Sequence, residues 1–581
     1  MEDLRRWLPT TRKELEIRGW DGCDVILFSG DAYIDHPSFG TSVIGRVLEK
    51  MGLRVAIVPQ PNWRDDLRDF KKLGRPRLFF GVSAGVMDSM VNRYTASKRL
   101  RSNDAYTADG RADMRPERAT QVYSSILKNL YPDVPIIIGG IEASMRRFTH
   151  YDYWEDKLLP SLLYSSRADI LVYGMGELPM QRLAEEFLKK GKLQEEDLMD
   201  IPQIGFLSST DIPDSLHLHS HEDCLKNKFK QAENFKIIEQ ESNCLVGKRI
   251  IQPIEEKFMV VNPPFPPMNT EQIDNSFDLP YTRLPHPKYK GKSIPAFEMI
   301  KFSVNIHRGC FGGCAFCTIS AHQGKHIVSR SEKSILQEVR KITQLPDFKG
   351  HITDLGGPSA NMYKMGWKNE KVCENCKKPS CLFPQICPNL NVDYAPLLHL
   401  YHEVKKVDGV KKISIGSGLR YDLMLHKTGN NEKDKLSEQY IKELITEHIS
   451  GRLKVAPEHT SQRVLNAMRK PSFECFERFN TIFTKINKEY HLHQQLIPYF
   501  ISSHPACTFA DMKELSCKVR HLHFHLEQVQ DFTPTPMTLS TEMFYTGIDP
   551  YTMKPIFCAK SKEEKNKQRE LLNHPDSLYR K

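Results

Sequence analysis

Three cysteines within eight residues constrain this chain more than any other feature. The string CFGGCAFC at 310–317 spaces Cys310, Cys314 and Cys317 as C-x3-C-x2-C. The run before it, 299–306, is apolar and β-prone, and a helix-like stretch begins at Ser331. Three thiolates this close on a glycine-containing loop suit a cuboidal iron–sulfur cluster. Such clusters usually take four thiolates, so a local set of three leaves one iron open to another ligand. Two competing readings are three free buried cysteines or three of four zinc ligands, although zinc sites favour paired C-x2-4-C motifs.

The wider string FSVNIHRGCFGGCAFC at 302–317, with Phe316 before the last cysteine and SRS at 329–331, carries a family likeness. It resembles the radical S-adenosylmethionine (SAM) proteins, and within them the YgiQ-type subgroup. The resemblance implies a [4Fe–4S] cluster on Cys310, Cys314 and Cys317, with the amino and carboxylate groups of SAM on the fourth iron. It implies an enzyme. A flavodoxin- or ferredoxin-type donor reduces the cluster, SAM breaks into methionine and a 5′-deoxyadenosyl radical, and that radical takes a hydrogen atom from a substrate that no motif names.

The totals fit such a protein. The 581 residues allow two or three domains with sizeable cores. Mean hydropathy is −0.48 and no run of 18 apolar residues occurs, so no membrane span is expected. The first residues, MEDLRRWL, are not expected to act as a secretory signal. Fourteen cysteines without one predict a reducing cytoplasm and metal ligation in place of disulfides. The net charge of +10 is modest, and a solvated basic surface is favoured over an RNA-binding one.

Residues 1–200 read as a doubly wound parallel α/β domain. Apolar runs at 24–29, 54–59, 78–83, 134–140 and 169–174 alternate with helical stretches at 41–50, 116–130 and 177–189. Order and spacing resemble the Rossmann-like, cobalamin-binding type of domain that precedes many radical SAM cores. The axial-histidine motif of that type is D-x-H-x-x-G, whereas this chain has DHPSFG at 35–40, so His36 is not expected to bind cobalt. Cobalamin without a histidine ligand stays open. Residues 201–291 shift in composition and carry proline segments at 262–267 and 284–287. They read as an elaboration and linker, with the histidines of LHLHSH at 216–221 as surface polar groups.

A partial (β/α)6 TIM-like barrel is expected over 292–547. Strand-like runs lie at 299–306, 351–357, 412–416, 452–456, 495–501 and 526–530, with helices between them. Chemistry in such barrels sits at the carboxyl ends of the strands. In the wider family a G-G-E-like turn after the second strand meets the SAM amino group. Here Pro358 replaces the acid, leaving backbone carbonyls near Gly356 and Gly357. After the third strand, Ser417 and Arg420 are candidates for the SAM ribose or carboxylate, against a plain tight turn. After the fourth, Glu458 is a candidate cofactor contact, against a structural role at a helix start.

A cysteine-rich insertion, VCENCKKPSCLFPQICP at 372–388, sets Cys373, Cys376, Cys381 and Cys387 as C-x2-C-x4-C-x5-C. The same four thiolates suit a structural zinc or a second [4Fe–4S] cluster. The charged tail, 548–581, reads as a solvated helix or extension. Two other function classes stay open beside the radical SAM enzyme. One is a cobalamin- or RNA-linked methyltransferase or modifying enzyme. The other is a non-catalytic iron–sulfur redox or sensor protein.

Overall fold

The computed structural model describes residues 3–522 and 529–573. The chain forms two compact units. The first comprises Met1–Met268, Asp274–Lys301 and Thr535–Met537, and the second Asn269–Ile273, Phe302–Pro534 and Thr538–Lys581.

The first unit is built on a nine-stranded sheet. Its strands are β1 (Val25–Ser29), β2 (Val55–Pro59), β3 (Phe79–Ser83), β4 (Ile136–Gly139), β5 (Ile170–Val172), β6 (Ile204–Ser208), β7 (Leu216–His217), β8 (Ile250–Ile254) and β9 (Lys257–Val261), in the order β2-β1-β3-β4-β5-β6-β9-β8-β7. The first five pair in parallel. Val25–Ser29 and Val55–Pro59 are buried throughout, which is why they are apolar at every position and not at alternate ones. Helices Gly40–Lys50 and Glu177–Lys190 are amphipathic, and their apolar faces supply Val47, Leu48, Leu183 and Phe187 to the core.

Within the segment 201–291, residues 204–261 elaborate the sheet of this unit. β6, β9 and β8 continue its sheet through antiparallel pairs, and β7 closes the edge in parallel. The shift in composition reflects that change of pairing. Antiparallel hairpins need no crossover helix, so the α/β alternation stops while the sheet goes on. His217, His219 and His221 have separate partners in Asp211, Glu233 and Thr149 and form no common site.

The parallel strands of the second unit are β10 (Ser303–Asn305), β11 (His351–Ile352 and Asp354–Gly356), β12 (Lys412–Ile413), β13 (Arg452–Glu458), β14 (Gln495–Ser502) and β15 (Val529–Asp531). Neighbours pair in parallel as β10-β11-β12 and as β13-β14-β15. These are the strands of the partial barrel. The β-prone run at 299–306 begins instead as the end of a helix, Pro295–Ile300, with Pro295 in the first turn, where its missing N–H costs nothing. Of the expected strand at 526–530, 526–528 lie outside the described residues.

The tail is only partly solvated. Helix Lys562–Asn573 packs on helix Phe509–His521 and buries Leu571 and Leu572. Gln568 enters the barrel wall. Its amide donates to the Cys507 carbonyl at 2.9 Å and accepts the Ser503 N–H at 2.9 Å. Residues 574–581 lie outside the described residues.

Two predictions follow from this packing. A Cβ on Gly30 would lie 2.2 Å from the backbone oxygen of Ala84. Gly30→Ala should therefore destabilise the first unit by about 2–3 kcal/mol, read as a lower urea midpoint.

The second concerns pH. Burial pushes His307 and His459 down to about 4 and His504 down to about 3. Each folded value lies below the unfolded value of roughly 6.5, so the unfolded chain binds more protons as pH falls. Stability is then full above about pH 6.5 and is lost towards pH 4, at about 2 kcal/mol per histidine between pH 7 and pH 5. Urea unfolding at both pH values, for wild type and His504→Asn, checks this. A smaller pH difference in the variant is expected.

Candidate active site

The three cysteines of the opening motif lie just beyond β10. The bridge His307–Arg308 pairs antiparallel with Val328–Ser329 and closes 309–327 into one loop. Little of that loop is regular, so its backbone groups find partners elsewhere. The Cys310 N–H donates to Gly324 O at 3.3 Å, Cys317 N–H to Cys314 O at 3.1 Å, and Ala315 N–H to Met468 O at 3.0 Å. The Ala315 carbonyl accepts the Ser540 N–H at 2.8 Å. Phe311 and Ala315 are buried, and Phe316 stands edge-on to His504, 6.0 Å between ring centres.

The thiols converge. A Cβ on Gly312 would lie 3.3 Å from Cys310 Sγ, 3.6 Å from Cys314 Sγ and 2.8 Å from Arg420 Nη1, so only glycine leaves room for this cradle. Arg420 Nη1 donates to Cys314 Sγ at 3.5 Å. Burial and the neighbouring Cys314 raise Cys310, and the same causes push Cys317 up to about 12. A bound metal would displace those protons. Three half-buried thiols with an adjacent guanidinium fit an iron–sulfur cluster, because the cation offsets the negative charge of the thiolates.

The remaining expected site residues come to the same end of the strands. Ser417 does not stand free at a turn: its hydroxyl and N–H both donate to the carboxylate of Asp354, as does Gly416 N–H at 2.9 Å. Burial raises Asp354, and these donors partly oppose it. A Cβ on Gly356 would meet Ser417 Oγ at 2.8 Å, and one on Gly357 the His307 ring at 2.8 Å. The Gly356 carbonyl already accepts the Ile306 N–H at 2.8 Å.

Arg420 forms a two-pronged ion pair with Asp422, at 2.8 and 2.5 Å. Its backbone is held on both sides by the Asn361 amide, at 2.9 Å each. Glu458 has a left-handed backbone, φ +68°, and lies 3.6 Å from Lys470 Nζ. Burial raises it, and Lys470 and Arg420 oppose that shift. Asp354, Asp422, Asn361 and Lys470 were not singled out in the sequence. Asp354 lies two residues before Gly356 and Asp422 two residues after Arg420, and that placement at the strand ends is the available signal.

The second cysteine set rests directly on the first loop. Cys381 N–H donates to Phe311 O at 3.0 Å, and Ser380 Oγ to Gly312 O at 2.7 Å. Gly313, at φ +54°, has Pro379 O 2.2 Å from where a Cβ would stand. Cys381 lies among Cys387, Cys376 and Cys373, and burial pushes it up to about 12.

Any cobalamin would have to be held by the first unit. Its order β2-β1-β3-β4-β5 reverses between β1 and β3, and that crevice is where such sheets take ligands. Here the chain itself fills it. Arg115, buried, pairs with Asp31 at 2.8 Å and Asp104 at 3.1 Å and donates to Ala84 O at 3.0 Å. A Cβ on Gly85 would meet the Asp31 carboxylate at 2.2 Å. His36 is buried, with Nδ1 accepting the Ser38 N–H. These residues fill the crevice between β1 and β3 with the chain's own side chains.

Comparison with known proteins shows the family of the chain. A family model described as "Radical SAM N-terminal" matches residues 7–303, and one described as "Domain of unknown function (DUF3362)" matches 527–577. A UPF0313 protein of Bacteroides thetaiotaomicron is 62% identical over 580 residues, covering 98% of this chain and 94% of that protein. One of Methanocella arvoryzae is 48% identical, covering 97% and 92%. Among solved structures, the radical SAM methyltransferase TsrM of Kitasatospora setae aligns at 12% identity and a TM-score of 0.46, covering 89% of this chain and 75% of that one. No helix among the described residues is long and apolar enough to cross a membrane. The chain belongs to the UPF0313 family and is a radical SAM protein of the YgiQ type.

Proposed function

We propose that this protein is a radical SAM enzyme whose Cys310, Cys314 and Cys317 hold a [4Fe–4S] cluster with one iron open to SAM. The observation that carries the reading is the convergence of three half-buried thiols with Arg420 at the carboxyl ends of parallel strands. When bound, the cluster supplies the electron that splits SAM into methionine and a 5′-deoxyadenosyl radical, which takes a hydrogen atom from the substrate.

The chain's own residues bind, orient and screen. Arg420, fixed by Asp422 and Asn361, places one positive charge beside Cys314. The Gly357 carbonyl is assigned to the SAM amino group, since the Gly356 carbonyl already serves the sheet. Asp354 and Ser417 act as one hydrogen-bonded unit for a ribose hydroxyl, and Glu458 lines the same rim. Phe311, Ala315 and Phe316 cover the back of the loop and keep water from it. A flavodoxin- or ferredoxin-type donor provides the reducing electron. The substrate is left unassigned, and with the crevice in the first unit filled, no step is routed through cobalamin.

The decisive assay is anaerobic release of 5′-deoxyadenosine with dithionite. Wild type should release it with methionine, and Cys314→Ala should lose at least a hundredfold. Wild-type protein carrying its iron but releasing none would support a redox or sensor protein instead.

A second expectation concerns the guanidinium. Arg420→Gln removes a positive charge beside the cluster, so the midpoint potential should move negative while iron content is kept. An unchanged midpoint in a potentiometric EPR titration would contradict the placement of Arg420.

A further inference from the structure

The Cys373 set is as well formed as the first, and the reaction above does not use it. We propose that Cys373, Cys376, Cys381 and Cys387 hold a second [4Fe–4S] cluster that relays electrons from an acidic one-electron carrier protein to the cluster on Cys310, Cys314 and Cys317. The relay rests on the reading given under Proposed function; the second metal centre does not.

The four thiols form one site. Cys376 N–H donates to Cys373 O at 3.1 Å and Cys387 N–H to Cys381 O at 2.8 Å, folding 373–387 back on itself. Spacing then separates the two candidate metals. Four thiolates on one zinc, at about 2.3 Å each, put sulfurs about 3.8 Å apart. Among the described residues, no three of these sulfurs lie within 4.8 Å of one another. The Cys310 set is equally open, and the trio that does meet this spacing is Glu443, Glu447 and His448. A cube with one thiolate per corner iron needs the wider spacing. The Asn389 amide donates to Cys373 Sγ at 3.2 Å, the N–H···S contact by which proteins tune cluster potentials. Buried Lys325 adds a cation, its Nζ held 2.8 Å from Lys378 O.

The relay follows from contact. With the Cys381 N–H on the Phe311 carbonyl, standard backbone dimensions put the Cα atoms of Cys381 and Cys310 at most about 11 Å apart. Ser380 and Pro379 make the contact continuous through Gly312 and Gly313. The insertion is also the wetter of the two sites. Lys368, Lys371, Lys377 and Lys378 are exposed on it, against Glu370 and Glu374. That excess of positive charge suits an acidic carrier and steers its approach. One electron leaves the reduced carrier, reduces the second cluster and passes to the first; no bond or proton moves.

Iron, sulfide and zinc analysis of anaerobically reconstituted wild type tests the site without any variant. Roughly eight iron and eight sulfide per chain are expected, for two four-iron clusters. Roughly four iron with one zinc would overturn the proposal. Cys376→Ser/Cys381→Ser should keep about half the iron, as should Cys310→Ser/Cys314→Ser. If only the Cys310 variant keeps all its iron, the reading of the first site fails and the second centre stands. If only the Cys376 variant does, the reverse holds.

The relay is read as a ratio. Release of 5′-deoxyadenosine driven by reduced flavodoxin should fall at least tenfold further in Cys376→Ser/Cys381→Ser than release driven by dithionite. An equal fall would overturn the relay. Lys377→Glu/Lys378→Glu should raise the KM for flavodoxin several-fold, and an unchanged KM would count against the docking surface.

Discussion

The site depends on how one irregular loop satisfies its backbone. Residues 309–327 carry the cluster motif but little regular structure, and buried N–H and C=O groups must be paired. Their partners come from three places: Gly324 within the loop, Met468 and Ser540 on helices of the second unit, and Ser380 and Cys381 from the insertion. Each bond is worth only about 1 kcal/mol net, yet leaving one unmade costs about 1–3 kcal/mol. The loop is therefore held in one shape before any metal binds, with its thiols already facing one cradle.

Charge is the second constraint. Burial disfavours the thiolates that a metal needs, as the raised Cys310 and Cys317 show. The chain answers with buried cations, Arg420 beside Cys314 and Lys470 beyond it, and each cation has its own acid, Asp422 or Glu458. Those acids keep the cations from being buried alone, which is the costly case. They also fix the guanidinium in one orientation, so that a single Nη atom faces sulfur.

Much of this was legible in the sequence. Apolar runs such as 24–29 and 54–59 had to be doubly buried strands, and the βα alternation from Ser331 onward announced the barrel. The cluster loop was legible because the spacing of Cys310, Cys314 and Cys317 has few other uses. What was not legible depended on distant partners. Asp354 reads as an ordinary strand residue until Ser417, sixty-three positions later, turns onto it. Residues 204–261 lose the α/β rhythm because antiparallel strands extend a sheet without helices. Gln568 looked like part of a solvated tail, since nothing local shows it entering the barrel against Cys507.

The central claim is that the Cys310 set leaves one iron open and that SAM occupies it. EPR of the reduced Cys376→Ser/Cys381→Ser protein, before and after addition of SAM labelled with 17O in its carboxylate, tests it directly. The account predicts a changed g-tensor on adding SAM and a hyperfine coupling to the labelled oxygen. Identical spectra and no coupling, in protein that holds its iron, would contradict it.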